Sequence, residues 1–157
     1  LIEPSDAVAN EIKDICLRLL ARREHSQKEL LNKLALRGFN KDEILPVLRE
    51  LAEQGWQDDL RYAENYARFR ILKGYGPLRV NYELLQNGIT GVDLDKLVHT
   101  EAESWPERLA QVYKKKYTHE LALERKEWAK RSRFLLYRGF SGEMISALLA
   151  HLAIKLK

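Results

Sequence analysis

Residues 73–79 read KGYGPLR, and they are the stretch most suggestive of chemistry. Two glycines flank a tyrosine, a proline follows, and an arginine stands two residues further on. A loop that cradles phosphate needs GxxxxGK followed by Ser or Thr, or GxGxxG after a strand, so that backbone N–H groups can reach the anion. Neither spacing occurs. His25, His99, His119 and His151 are scattered and match no metal-ligand spacing, so no metal and no cofactor is expected. No GxSxG, HExxH or suggestive Cys/His pair supplies a nucleophile. The carboxylate pair Asp58–Asp59 falls at a helix start, where the helix dipole favours negative charge. The residues point away from an enzyme.

What the chain does offer is cationic. Its net charge of +4 hides an asymmetry. Residues 1–60 carry 9 basic and 12 acidic side chains, residues 61–105 carry 6 of each, and residues 106–157 carry 12 basic and 5 acidic. A basic third of a chain is a footprint for phosphate or an acidic protein surface, or else a solvated face. On a helical wheel of ERKEWAKRSRFLLYRGF (124–140), Lys126, Lys130, Arg133 and Tyr137 share one side. Trp128, Leu135 and Leu136 fall on the other, with Arg131 and Arg138 flanking the stripe. Upstream, YKKKY (113–117) sets Lys114, Lys115 and Lys116 between two tyrosines. Cations displace counterions from a polyanion and rings stack on bases. Tyr113 and Tyr117 also fit a core stripe with Leu109.

The elements that must carry these residues are helical. Strand alternation is nearly absent, while Val8, Ile12, Ile15 and Leu19 recur at helical spacing. LNKLALRGFNKDEI (31–44), NYELLQNGITGVDL (81–94) and SRFLLYRGFSGEMI (132–145) share one frame. In it Gly38, Gly88 and Gly139 end a helix in the left-handed conformation, and Leu34, Leu84 and Leu135 precede them by four residues. Asn40, Thr90 and Ser141 follow as N-caps of the next helix. A preceding helix in each unit (7–23, 58–73, 106–117) makes three, opened in the second by Asp58 and in the third by SWPE (104–107). The expectation is an all-α chain of three tandem three-helix repeats, bounded 1–56, 57–105 and 106–157, with about nine helices and no sheet. Pro46 falls inside the helix after Asn40 and predicts a kink or a late start there.

The same frame answers the question posed by KGYGPLR. Gly76 aligns with Ser26, which opens the capping box SQKE, so Gly76 is an N-cap and Pro77 the first helical residue. Tyr75 and Val80 would form a hydrophobic staple, and Gly74 ends the previous helix. Arg79 projects from the first helical turn, either as an exposed side chain or as a contact for phosphate or carboxylate. Its equivalents are Glu29 in the first unit and Lys130 in the third, so the basic stripe belongs to the later units and is not demanded by the fold. Arg131 is matched by Leu30 and Val80, which implies either snorkelling or a rotated helix.

Cys16 is the only cysteine, which excludes an intrachain disulfide and suits a reducing cytosol; its apolar helical setting suits a small core residue. The apolar runs are far short of the roughly 20 residues a membrane span needs, and no charged-then-apolar leader opens the chain.

HSQKELLNKLALRGF (25–39), GWQDDLRYAENYARFR (55–70), KGYGPLRVNYELLQNGI (73–89) and RFLLYRGF (133–140) stand in the order and spacing of one family. By these the chain resembles regulatory protein RecX, the modulator of the bacterial recombinase RecA. Residues 90–125 match less well. The resemblance implies tandem three-helix repeats in an elongated, curved array, and no enzymatic activity. It implies a cytoplasmic monomer that binds the RecA filament on single-stranded DNA and limits filament growth, strand exchange and ATP hydrolysis. Lys126, Lys130 and Arg133, with Lys114–Lys116, Arg131, Arg138 and Arg79, are the candidate contacts to that filament or its DNA. Two other readings fit the residues: a free-standing helical DNA-binding protein, and a protein-interaction solenoid with an incidental basic end.

Overall fold

A computed structural model describes residues 4–100 and 103–157; the first three residues, included in the reading that no leader is present, lie outside it. Among the described residues the helices are α1 (Pro4–Arg22), α2 (Gln27–Leu36), α3 (Lys41–Glu53), α4 (Asp59–Leu72), α5 (Pro77–Gln86), α6 (Leu94–Thr100), α7 (Trp105–Lys116), α8 (Arg125–Arg138) and α9 (Gly142–His151). Two short strands, β1 (Ala122–Leu123) and β2 (Lys155–Leu156), complete them. The chain forms two compact units. The first takes in residues up to Asn65 together with Leu84–Val92, the second Tyr66–Glu83 with Asp93–Lys157.

In the first unit α3 packs on α1 and α2. Ile12, Ile15 and Cys16 of α1 meet Leu30 and Leu34 of α2 and Ile44, Val47, Leu48 and Leu51 of α3, while Val8 and Leu19 pack at the edge. Burial pushes the Cys16 thiol up to about 11, so it is a protonated core atom at neutral pH. The opening of α2 is a complete capping box: Glu29 N–H donates to Ser26 Oγ (3.1 Å) and Ser26 N–H to Glu29 Oε1 (3.1 Å). Asn40 N–H donates to Glu43 Oε1 (2.9 Å) at the start of α3. Helix α3 begins on time at Lys41 and runs through Pro46. Its one missing hydrogen bond is outweighed by four buried aliphatic side chains, each worth about 2 kcal/mol of burial.

The turn before α2 is pinned to the start of α4. Gln27 N–H and Gln57 Nε2 both donate to Asp59 Oδ1 (each 2.9 Å), and Gln57 Nε2 also reaches the His25 carbonyl (3.2 Å). His25 is buried; its Nδ1 donates to the Arg23 carbonyl (3.0 Å), leaving Nε2 to accept from the Lys33 ammonium (3.1 Å). Burial and those cationic neighbours lower its pKa.

In the second unit α9 packs on α7 and α8 around Leu109, Tyr113, Trp128, Leu135, Phe140, Ile145 and Leu148. Ser104 caps α7, accepting from Glu107 N–H (3.3 Å), and Ser141 caps α9, accepting from Met144 N–H (3.1 Å). The expectation of no sheet is corrected by a parallel pairing of β1 with β2, Ala122 opposite Lys155 and Leu123 opposite Leu156. Lys155 N–H donates to the Leu121 carbonyl (2.8 Å) and Lys157 N–H to that of Leu123 (3.0 Å). Ala153, at φ 55°, turns the chain after α9 to bring β2 there. Two-residue strands are too short to leave an alternation that sequence reading can detect.

The repeat frame holds at its glycines and leucines. Gly38, Gly88 and Gly139 have φ of 97°, 79° and 102°, and Leu34, Leu84 and Leu135 are buried. It fails at Thr90. Gly91 at φ 75° extends the turn, α6 begins only at Leu94, and Asp93 caps it by accepting from Lys96 N–H (3.1 Å).

Candidate polyanion interface

The junction between α4 and α5 lies wholly in the second unit. Gly74, at φ 94°, ends α4, and Pro77 is the first residue of α5, as the frame requires. Gly76 does more than cap. Its N–H donates to the Arg138 carbonyl (2.7 Å), Leu78 N–H donates to the Gly139 carbonyl (3.0 Å), and a Cβ on Gly76 would lie 2.5 Å from that oxygen. A Cβ on Gly139 would collide with Arg79. Two glycines bring the end of α8 against the start of α5 backbone to backbone, a constraint no local motif announces.

Tyr75 is clasped by guanidinium groups. Arg70, Arg79 and Arg138 place their carbon centres 3.8, 4.6 and 4.8 Å from its ring centroid. Arg79 also lies over Tyr137 (4.7 Å) and donates to that residue's carbonyl (3.1 Å). Arg138 lies over Phe134 (5.2 Å) and donates to the Lys73 carbonyl (3.0 Å), while Lys116 caps the same ring at 3.7 Å. The result is a track in which cations alternate with rings: Tyr137, Arg79, Tyr75, Arg138, Phe134, Lys116. Stacked pairs of this kind contribute about 0.5–1 kcal/mol each where exposed. Arg70 is committed further, in a bidentate pair with Glu83 (2.9 Å for each bond). The four-residue spacings of Tyr75 with Arg79 and of Phe134 with Arg138 are the local signals of this track.

On α8 the wheel is right about the stripe and wrong about one flank. Lys126, Lys130 and Arg133 are exposed, and Tyr137 is 71% exposed. Lys114 and Lys115 are exposed as well, and none of these five cations has an ion-pair partner among the described residues. Arg131, expected beside them, is turned inward and is only 6% exposed. It donates to Tyr113 Oη (2.8 Å), Glu127 Oε1 (3.0 Å) and Glu120 Oε1 (3.1 Å). Burial works against its charge, but the bonds to Tyr113, Glu127 and Glu120 outweigh that and raise its pKa. Arg131 is buried at the frame position where the other repeats bury Leu30 and Val80, and Leu136 is half exposed like its equivalent Leu85, so α8 keeps the common orientation and buries an arginine in it. Glu120 comes from the segment before β1, which the repeat frame does not cover. Tyr113 is fully buried, as the core reading of YKKKY allowed.

Among the described residues no cluster of His, Cys, Asp and Glu is fit to hold a metal, and no helix is long and apolar enough to cross a membrane. What the geometry presents is a basic helix face without counter-charges beside a track of cations and rings, suited to binding an extended anion.

Comparison with known proteins bears on what that anion belongs to. Family models of the first, second and third three-helix domains of RecX match residues 13–51, 58–96 and 103–149. The chain is 40% identical over 133 residues to regulatory protein RecX of Legionella pneumophila (strain Corby), covering 85% of this chain and 89% of that one. It is 40% identical over 139 residues to the Pseudomonas fluorescens (strain SBW25) protein of the same name, covering 88% and 90%. A crystal structure of regulatory protein RecX shares its fold with a TM-score of 0.74 at 23% identity, over 93% of this chain and 73% of that one. RecX from Lactobacillus salivarius does so with a TM-score of 0.69, over 93% and 97%. With all three domains matched in order over an all-α fold of tandem helix triplets, the chain belongs to the RecX family of regulatory proteins.

Proposed function

We propose that this chain binds the RecA filament on single-stranded DNA and restrains filament growth, strand exchange and ATP hydrolysis. The observation that carries the reading is the ordered match to all three RecX domains. The exposed Lys126, Lys130 and Arg133, with Lys114–Lys116 and a lesser part for Arg79, form the surface we assign to DNA phosphate or to an acidic face of the recombinase. Arg131 serves inside the fold, and Arg138 gives one N–H to the junction and keeps others for an anion. The protein acts by occupancy, without catalysis of its own, as a monomer in the cytoplasm, with repeats bounded at 1–56, 57–105 and 106–157. Contacts spread over several repeats gain by avidity, so individually weak ones suffice.

A strand-exchange assay with and without the protein tests this. The expected result is inhibition that rises with protein added before the DNA duplex partner. Strand exchange at the uninhibited rate, with protein in excess over recombinase, would refute the reading. Binding to bare DNA that recombinase coating abolishes would favour a free-standing DNA-binding protein instead.

A further inference from the structure

Between the end of α4, the outer face of α7 and the last turn of α8 the second unit has a cleft of about 420 Å³. Lys73, Arg108, Lys115, Lys116 and Arg138 line it, with Phe134 on one wall and no acidic side chain among its lining residues. Arg108 is held in place by Glu103 (2.9 Å) and by the Ile71 carbonyl (2.6 Å), and its buried Nε has no acceptor among the described residues. The Lys115 side chain makes no hydrogen bond or ion pair with any described residue, and Arg138 spends one N–H on the Lys73 carbonyl with others to spare. Beside the cleft, lining residue Lys73 rests over Phe69 (4.6 Å), a ring 55% exposed, and from lining residue Arg138 the cation–ring track leads through Tyr75 and Arg79 to the exposed Tyr137.

We propose that this cleft holds a phosphodiester of single-stranded DNA, gripped by Lys73, Lys115, Lys116 and Arg138, with Phe69 and Tyr137 offering their faces to unpaired bases. With Arg108 matched by Glu103, the gathering of Lys73, Lys115, Lys116 and Arg138 without a carboxylate of their own costs mutual repulsion that an anion relieves. The exposed rings that continue from the cleft's cations favour a nucleic acid over an acidic peptide, because every base has a π face to stack. They favour a single strand over a duplex, whose bases are already stacked. The assignment goes beyond the filament reading and does not depend on it.

The test is fluorescence anisotropy of labelled dT20 with the full chain, titrated at several salt concentrations. Lys73→Gln/Lys115→Gln/Lys116→Gln should weaken binding about tenfold or more and reduce the salt slope by about 0.7 for each phosphate no longer neutralised. The corresponding triple Arg variant should bind like the parent. Phe69→Ala/Tyr137→Ala should cost about fivefold or more, the loss expected for even one stacked base. Lys115→Gln alone removes no hydrogen bond or ion pair among the described residues, so a flatter slope in it supports the cleft even if the triple variant misfolds. Unchanged dT20 affinity and slope in a well-folded triple Gln variant would overturn the proposal, as would no dT20 binding by the parent at low salt. Loss of binding to a poly-glutamate peptide alone would overturn it too and assign the cleft to an acidic protein segment. Strand-exchange inhibition is scored separately, so failure of the filament reading leaves the cleft to be decided by dT20.

Discussion

The two units put the same position of the helix frame to different uses. Nine residues before the glycine that ends each helix stands Glu29 in the first unit, and Arg79 or Lys130 in the second. Glu29 is turned onto its own backbone. It closes the capping box with Ser26 and accepts two bonds from Arg23 (3.2 and 2.9 Å). Burial would raise its pKa, but Arg23 and the Ser26 N–H hold it below the usual carboxylate range. Arg79 spans two rings and a carbonyl, and Lys130 meets only solvent. The leucine four residues before the glycine is buried in every case. The frame is thus held by leucine and glycine, and the charge at the variable position is open: it closes a cap in the first unit, and in the second it braces the junction at Arg79 and meets solvent at Lys130.

That division can be broken most severely at the glycines. Gly139→Ala meets both a left-handed backbone and the main chain of Arg79, and should destabilise by about 2–3 kcal/mol, read from chemical denaturation. Gly38→Ala, with nothing within 4 Å of its added Cβ, should cost about 1 kcal/mol. Equal costs would show that the close approach at Gly139 carries no energy.

Arg131→Met comes next. It keeps most of the side-chain volume but leaves the buried Tyr113 hydroxyl unpaired, for a loss of about 1–3 kcal/mol. A variant as stable as the parent would mean that Arg131 snorkels to solvent and that its place in the basic stripe should be restored.

How much of this was legible depends on reach. The helix ends at Gly38, Gly88 and Gly139, the caps at Ser26, Ser104 and Ser141, and the exposure of Lys126, Lys130 and Arg133 all follow from residues within a turn or two of one another. Thr90 misled because one more glycine, Gly91, let the turn run on to Asp93. Arg131 misled because its partners Tyr113 and Glu120 come from other elements, and a wheel ranks only residues of one helix. The approach of Gly76 to Gly139 joins residues 63 apart in sequence, and the cleft gathers Lys73 from the end of α4 with Arg108 and Lys115 from the two ends of α7. Neither leaves a periodic trace.

Smaller effects distinguish the first unit. Ser26→Ala should cost about 1 kcal/mol through loss of the cap at α2. The same unit should carry a mild acid sensitivity. His25 is held neutral with a lowered pKa, so below about 6.5 the unfolded chain takes up its proton first and stability falls with pH. Glu29, also lowered, adds a second loss as pH drops below about 4.5. Melting curves should therefore slope downward from pH 7 to 5 in the parent, and less so in His25→Asn. An identical slope in that variant would remove His25 from the account.

The most direct test reverses the charges that meet only solvent. Lys130→Glu/Arg133→Glu should leave helicity and stability within about 0.5 kcal/mol of the parent, since both side chains are exposed and unpaired. In a recombinase strand-exchange assay it should lose inhibition, most of all at low salt, where screening is weakest. Full inhibition by the well-folded double variant would contradict the assignment of this face and move the binding surface toward Arg61, Arg68 and Arg79.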